Sequence, residues 1–200
     1  MGRTMPAVGP ATEGIHPVLP PIQQRMVTDD ERILIARSKA GDLEAFAELV
    51  RTHQRMIYSL AYRMSGSAAA AEDLAQETFI LAHTKLAAFR GDSKCSSWLY
   101  RIAINLCLRW RKSEQRRGLA DGEWALEQAP SDSGENTGAR VQEALARLSP
   151  KLRAAVILTA YDGLTHAEAA SVLGCAEKTL SGRLFSARRQ LAEILRVSNA

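Results

Sequence analysis

Apolar residues in this chain recur every three to four positions almost from end to end, and that spacing leaves few folds open. From Phe46, the residues Leu49, Val50, His53, Ile57 and Leu60 fall at i+3, i+4, i+7, i+11 and i+14, one face of a helix. The strict alternation of a half-buried strand is absent, as is an Asn-Gly hairpin signal. An all-α protein is expected. The punctuation agrees. Asp29 or Asp30 can cap a first helix carrying Ile33, Leu34 and Ile35, Ala40-Gly41 breaks it, and Asp42 caps the next. Two hundred residues suffice for one ordinary domain or two small ones. A hydrophobic content of 46% with 24% charged residues is that of a soluble globular chain. No apolar run approaches the ~18 residues of a membrane span, so no membrane partner is expected.

Residues 1–28 are rich in Pro, Gly and Ala without a signal-type apolar core, and are expected to form a disordered tail. After Gly66, residues 72–89 read as a helix. Phe79, Ala82, Leu86 and Phe89 form its apolar stripe, and Asp73, Gln76 and Glu77 occupy its leading turns. Carboxylates there either complement the helix macrodipole or present a surface to a basic partner. Arg90-Gly91-Asp92-Ser93 ends this helix, and another runs from Ser97 to about Lys112. Its apolar side is Trp98, Leu99, Ile102, Ala103, Leu106 and Trp110; Tyr100, Arg101, Asn105, Arg109 and Lys112 form the other. Such a basic face is either solvated or suited to phosphates, base edges and unstacked strands. Residues 113–139 show little periodicity and read as a linker, with a short helical turn around Trp124–Glu127.

Net charge is only +4, but its distribution is uneven. Residues 94–118 carry seven cations against one acid, residues 119–138 five acids and no base, and residues 178–196 five cations against one acid. Two basic blocks around an acidic spacer suggest two contacts with a polyanion. The second block sits in the most informative stretch. Ser149-Pro150 starts a helix over 151–161, and Thr165 with Glu168 is a capping box for a short one. Ala169, Val172 and Leu173 are its inner side, Gly174 ends it, and a second helix follows through Leu180, Leu184, Ala187, Leu191 and Leu195. A helix, a short Gly-containing turn and a basic helix make a helix-turn-helix, against the alternative of a plain helical hairpin.

Catalysis finds no support: no nucleophile with an adjacent base, no Gly-rich phosphate loop and no paired acids. Cys95, Cys107 and Cys175 form no CxxC pair, which argues for a reducing compartment, by default the cytoplasm. His16, His53, His83 and His166 add no ligand spacing, so neither a metal nor a cofactor is expected.

The ordered set of motifs resembles the extracytoplasmic-function (ECF) sigma factors of the bacterial sigma-70 family. Phe89-Arg-Gly-Asp-Ser93 followed by Trp98-Leu-Tyr-Arg-Ile-Ala103 and Asn105 is similar to region 2. Leu148-Ser-Pro150, Asp162-Gly-Leu164, Thr179, Arg183-Leu184 and Ala187-Arg188 are similar to region 4. The resemblance implies two small helical domains, residues 29–112 and 140–200, on a flexible acidic linker over 113–139. It implies a promoter-specificity subunit that binds core RNA polymerase, recognises −35 and −10 elements and promotes DNA melting. Asp73, Gln76, Glu77 and Phe79 would meet the clamp helices of polymerase β′. Trp98, Arg101, Asn105, Arg109 and Lys112 would serve the non-template strand at −10. Lys178, Thr179, Ser181, Arg183, Ser186 and Arg188 would serve the −35 duplex, with Gly182 and Phe185 beside them. An anti-sigma factor is a further implied partner. The loop Lys94-Cys95-Ser96-Ser97 departs from the family, which often has aromatics there; Ser181 and Ser186 stand where Lys or Arg is common. The rival readings are a helix-turn-helix regulator that recruits nothing, and a sigma mimic that titrates an anti-sigma factor.

Overall fold

The structure is a computed structural model and describes residues 29–121 and 137–197. The N-terminal tail, the turn around Trp124 and most of the acidic spacer lie outside the described residues. Every element among those described is helical: α1 (Asp29–Lys39), α2 (Leu43–Ser65), α3 (Ala68–Lys85), α4 (Cys95–Asp121), α5 (Thr137–Ala146), α6 (Pro150–Val156), α7 (His166–Val172) and α8 (Glu177–Val197). None is long and apolar enough to cross a membrane.

Local chemistry sets the boundaries. Asp42 caps α2, its side chain accepting from Ala45 N–H, and Gly66 closes the helix at φ 83°, a left-handed conformation that costs a residue with a Cβ more than glycine. Ser67 then caps α3 by accepting from Ala70 N–H. This start is earlier than residue 72. The first turn of α3 is made of alanines, so Asp73, Gln76 and Glu77 lie in its second and third turns. α4 likewise exceeds the expected 97–112. Residues 113–117 are half-buried or exposed and none is buried, which is why their periodicity is weak. They hold the helix by propensity, by a Glu114–Arg117 ion pair and by a bond from Arg116 Nε to the Lys112 carbonyl. α6 passes into a π-helical stretch, Ile157–Tyr161, where a helix over 151–161 is expected; the N–H of Asp162 donates to the Ile157 carbonyl at its end.

Packing follows the helical faces. α2 lies against α1, α3 and α4, and Ile57, Leu60, Met64, Ile104 and Cys107 are fully enclosed. In the second unit α8 covers α5, α6 and α7, with Leu145, Leu158 and Leu180 enclosed. Each fully buried aliphatic side chain stabilises by about 1.5–3 kcal/mol. Ile33 departs from its expected place: it is 55% exposed, while Ile35, two residues on, is buried.

The two units also pack on each other. α5 and α6 meet α2, and α6 and α7 meet α4, so that one apolar core runs through both. Arg153, 1% exposed, reaches from α6 to donate to the Met64 carbonyl at 2.7 Å and to the Ala146 carbonyl. Gln142 Nε2 donates to the Tyr62 carbonyl at 3.2 Å, and the Arg63 guanidinium lies 4.7 Å from the Tyr161 ring centroid. Tyr100, placed on the polar side of its helix by its hydroxyl, is instead buried, with the Asp162 carboxyl as its polar neighbour. A tyrosine satisfies both an apolar surrounding and a polar partner, and a one-dimensional pattern does not distinguish this from exposure.

Candidate functional site

Three surfaces carry the residues that sequence reasoning singles out. The first lies between α2 and α3. A groove of 810 Å³ is lined by Phe46, Val50 and Tyr58 from α2 and by Ala75, Gln76, Phe79, Ile80 and His83 from α3. Phe46 meets His83 edge-on at 4.8 Å between ring centroids. Gln76 and Phe79 thus fall in the groove, whereas Asp73 and Glu77 stand exposed on the same helix outside its lining. Glu72 also lines it. The α2 half was missed because Phe46 and Val50 fit the core-facing stripe; only packing reveals that they are half-buried and edge a groove.

The second surface is α4 and the loop before it. Asn105, Arg109 and Lys112 are exposed on one side. Trp98 is half-buried and lies against Phe89, with ring centroids 4.8 Å apart. Phe89 is itself anchored, since Lys39 Nζ donates to its carbonyl and lies 5.9 Å from its ring centroid. Arg101 is engaged. Its guanidinium donates to Ser171 O at 2.8 Å and to Ser171 Oγ at 3.0 Å, both on α7. Lys94, in the loop, pairs with Glu168 of α7 at 3.0 Å. Glu168 simultaneously closes the capping box with Thr165. The Thr165 N–H and the Lys94 ammonium together hold its carboxyl below the usual range.

The third surface is α8. Leu180, Leu184 and Ala187 turn inward and are buried, and Leu191 is half-buried beside them. Lys178, Thr179, Ser181 and Arg188 are exposed, while Arg183 and Ser186 are half-buried. Arg183 Nη1 lies 3.6 Å from Cys175 Sγ, so this cation leans on the turn of the helix-turn-helix. Phe185 is 71% exposed, beside Ser181 and Arg188 on the outer face.

Where the second surface meets α6, burial alters acid–base behaviour. Asp162, 7% exposed, has its carboxyl pushed up to about 6 by burial, against the opposing pull of Arg63 and the Tyr100 hydroxyl. A raised acid binds its proton more tightly in the packed state. Its favourable contribution is therefore complete below the ordinary carboxylate range and is lost as pH rises through about 6. From this group alone, stability should fall by roughly 1 kcal/mol between pH 5 and pH 7. Asp162→Asn removes the titration while keeping a polar side chain beside Tyr100, so urea midpoints of parent and variant are expected to coincide below about pH 4 and to separate progressively up to pH 7, the variant being the more stable. Parallel curves would show that Asp162 does not titrate in this window.

Known proteins resemble this chain along most of its length. The family model described as Sigma-70 region 2 matches residues 49–117, and that described as Sigma-70, region 4 matches residues 138–191. ECF RNA polymerase sigma factor SigM of Mycobacterium tuberculosis is 36% identical over 162 residues, covering 81% of this chain and 83% of the relative. SigW of Bacillus subtilis is 34% identical, covering 81% and 95%. Among solved structures, CnrH in complex with the cytosolic domain of CnrY aligns with a TM-score of 0.64 at 30% identity, covering 84% of this chain and 99% of that one. The sigma factor RpoE in complex with the anti-sigma factor NepR from Bartonella quintana aligns with a TM-score of 0.61 at 29% identity, covering 76% and 97%. Both regions are matched in order, and relatives above 30% identity run along four fifths of the sequence; the chain belongs to the ECF RNA polymerase sigma factors of the sigma-70 family, non-enzymatic factors of transcription initiation.

Proposed function

We propose that the three surfaces divide the work of initiation. The α2–α3 face, with Asp73, Gln76, Glu77 and Phe79, grips the clamp helices of polymerase β′. The exposed side of α4, with Arg101, Asn105, Arg109 and Lys112 above Trp98, holds the displaced non-template strand at −10. The outer face of α8, with Lys178, Thr179, Ser181, Arg183, Ser186 and Arg188, enters the −35 major groove. In domain terms, residues 29–112 bind polymerase and the −10 element and residues 140–200 the −35 element, with 113–139 as the connection, its first part being the end of α4. The setting is the cytoplasm.

The observation that carries this reading is the exposure of Asn105, Arg109 and Lys112 along one side of a helix whose other side is core. Amide and guanidinium groups are suited to base edges and phosphates. Phe185 adds an apolar contact of the kind that thymine methyl groups accept. Asn105→Ala is expected to impair promoter opening more than duplex binding, by about 1–3 kcal/mol for a lost base contact. Permanganate footprinting on duplex and on pre-melted promoters reads this directly; equal opening by variant and parent on duplex DNA would remove Asn105 from the strand-capture surface.

The packed arrangement favours a second element of the reading. With Arg101 held by Ser171 and Lys94 by Glu168, α7 occupies part of the strand-capture face. The packed form is then a resting state, and polymerase binding must separate the two units before −10 capture. RpoE, which this chain resembles, was solved bound to an anti-sigma factor. A partner of that kind, holding the units away from polymerase, is proposed for this chain too.

A further inference from the structure

Three donor side chains meet where α1, α2 and the start of α4 converge, outside the lining of the groove. Glu31 stands in the first turn of α1, His53 near the middle of α2, and Cys95 is the first residue of α4. A carboxylate oxygen, an imidazole nitrogen and the thiol sulfur all lie within 4.8 Å of one another. His53 Nε2 is 3.0 Å from Glu31 Oε1. His53 is 7% exposed and Cys95 2%.

The plain account is a histidine–carboxylate hydrogen bond with a cysteine as apolar filler. Two observations go beyond it. The other buried polar residues have local or interfacial reasons. Ser38 and Thr78 donate to carbonyls of their own helices, Ser65 to the turn after it, and Arg153 and Asp162 belong to the contact between the units. His53 has no such reason, yet it is paired with an acid and set beside a thiol in an otherwise apolar layer. The geometry is the second observation. Tetrahedral zinc bonds of about 2.0–2.3 Å put neighbouring ligand atoms about 3.3–3.6 Å apart. Small side-chain rotations would close this trio onto an ion while the helices stay in place.

We propose that Glu31, His53 and Cys95 form a site for one thiophilic divalent cation, Zn²⁺ by donor chemistry, with water completing the shell on the half-buried Glu31 side. On binding, the S–H bond of Cys95 is replaced by an S–Zn bond and the proton leaves to solvent. The Glu31–His53 hydrogen bond gives way to one bond from each residue to the ion. Cys95 directly follows the loop Arg90–Lys94, so an occupied site fastens the end of that loop and the start of α4 to α1 and α2.

The test uses the full-length, untagged, reduced protein freed of metal and titrated with Co²⁺. One equivalent is expected to produce tetrahedral cobalt absorption with a thiolate-to-cobalt charge-transfer band, displaced by Zn²⁺. Cys95→Ser should abolish the charge-transfer band, and Glu31→Gln, a milder change at a half-buried position, should weaken Co²⁺ binding at least tenfold. Cys175→Ser should leave the titration unchanged. Circular dichroism establishes that each variant is folded, and Glu31→Gln keeps the test decisive if Cys95→Ser is not. Absence of a charge-transfer band in the parent, its survival in Cys95→Ser, or unchanged affinity in Glu31→Gln would overturn the site.

Discussion

Replacing Asp73 and Glu77 together with lysine is expected to cost several kcal/mol of core-polymerase affinity while hardly moving the melting temperature of the free protein. Both carboxylates are exposed, and neither has an ion-pair partner among the described residues. A role in helix stability would require them near the N-terminus of α3, but the helix begins at Ala68 under the Ser67 cap. At about 1.5 Å per residue, Asp73 lies roughly 7–8 Å into the helix and Glu77 further still. The dipole effect fades within the first turn, so even its full value of about 0.3–1 kcal/mol per charge does not apply. What remains is a pair of acids on a basic chain, beside an apolar groove. This suits a basic protein surface, not DNA, whose phosphates repel carboxylates. Fluorescence anisotropy of the double variant with core polymerase, together with its thermal melting, separates the two roles. Retained affinity with a lowered melting temperature would make the acids a feature of the helix alone.

Arg153→Met should destabilise the protein by about 2–4 kcal/mol, read as a lower urea midpoint. The guanidinium is enclosed, and burial together with the nearby charge of Arg111 lowers it to about 10, so it remains protonated at neutral pH. Its fork satisfies the Met64 and Ala146 carbonyls, one in each unit, near the end of α2 and the end of α5. Methionine fills much of the volume but leaves both carbonyls without a donor. Arg153→Lys should recover only part of the loss, because an ammonium lacks the planar fork that reaches two acceptors at once. If Arg153→Met left the midpoint within about 0.5 kcal/mol of the parent, the contact between units would not be a firm one in solution, since surface-like changes are of that size.

Local patterns determined the element types, the caps at Asp42 and Thr165, the inner faces of α2 and α8, and the order of motifs that places the chain among sigma factors. These depend on neighbours within a turn or two, which a sequence displays directly: a side-chain oxygen reaches an amide three residues on, and a stripe repeats every 3.6 residues. The early start of α3 was legible only in part, because the alanines Ala68–Ala71, although the strongest helix formers, carry no amphipathic signal. What depended on distant segments had to wait for the tertiary structure. Tyr100 reads as polar until Asp162 is seen beside it; Arg101 reads as a free cation until α7 supplies Ser171; Phe46 and Val50 read as core until the groove is seen. Glu31, His53 and Cys95 lie on three helices and share no spacing along the chain, so a scan for ligand motifs passes over them. Helical periodicity states which side of a helix is turned inward. Which residues meet there is decided by how the helices pack, because side-chain contacts form across elements whose separation in sequence carries no period.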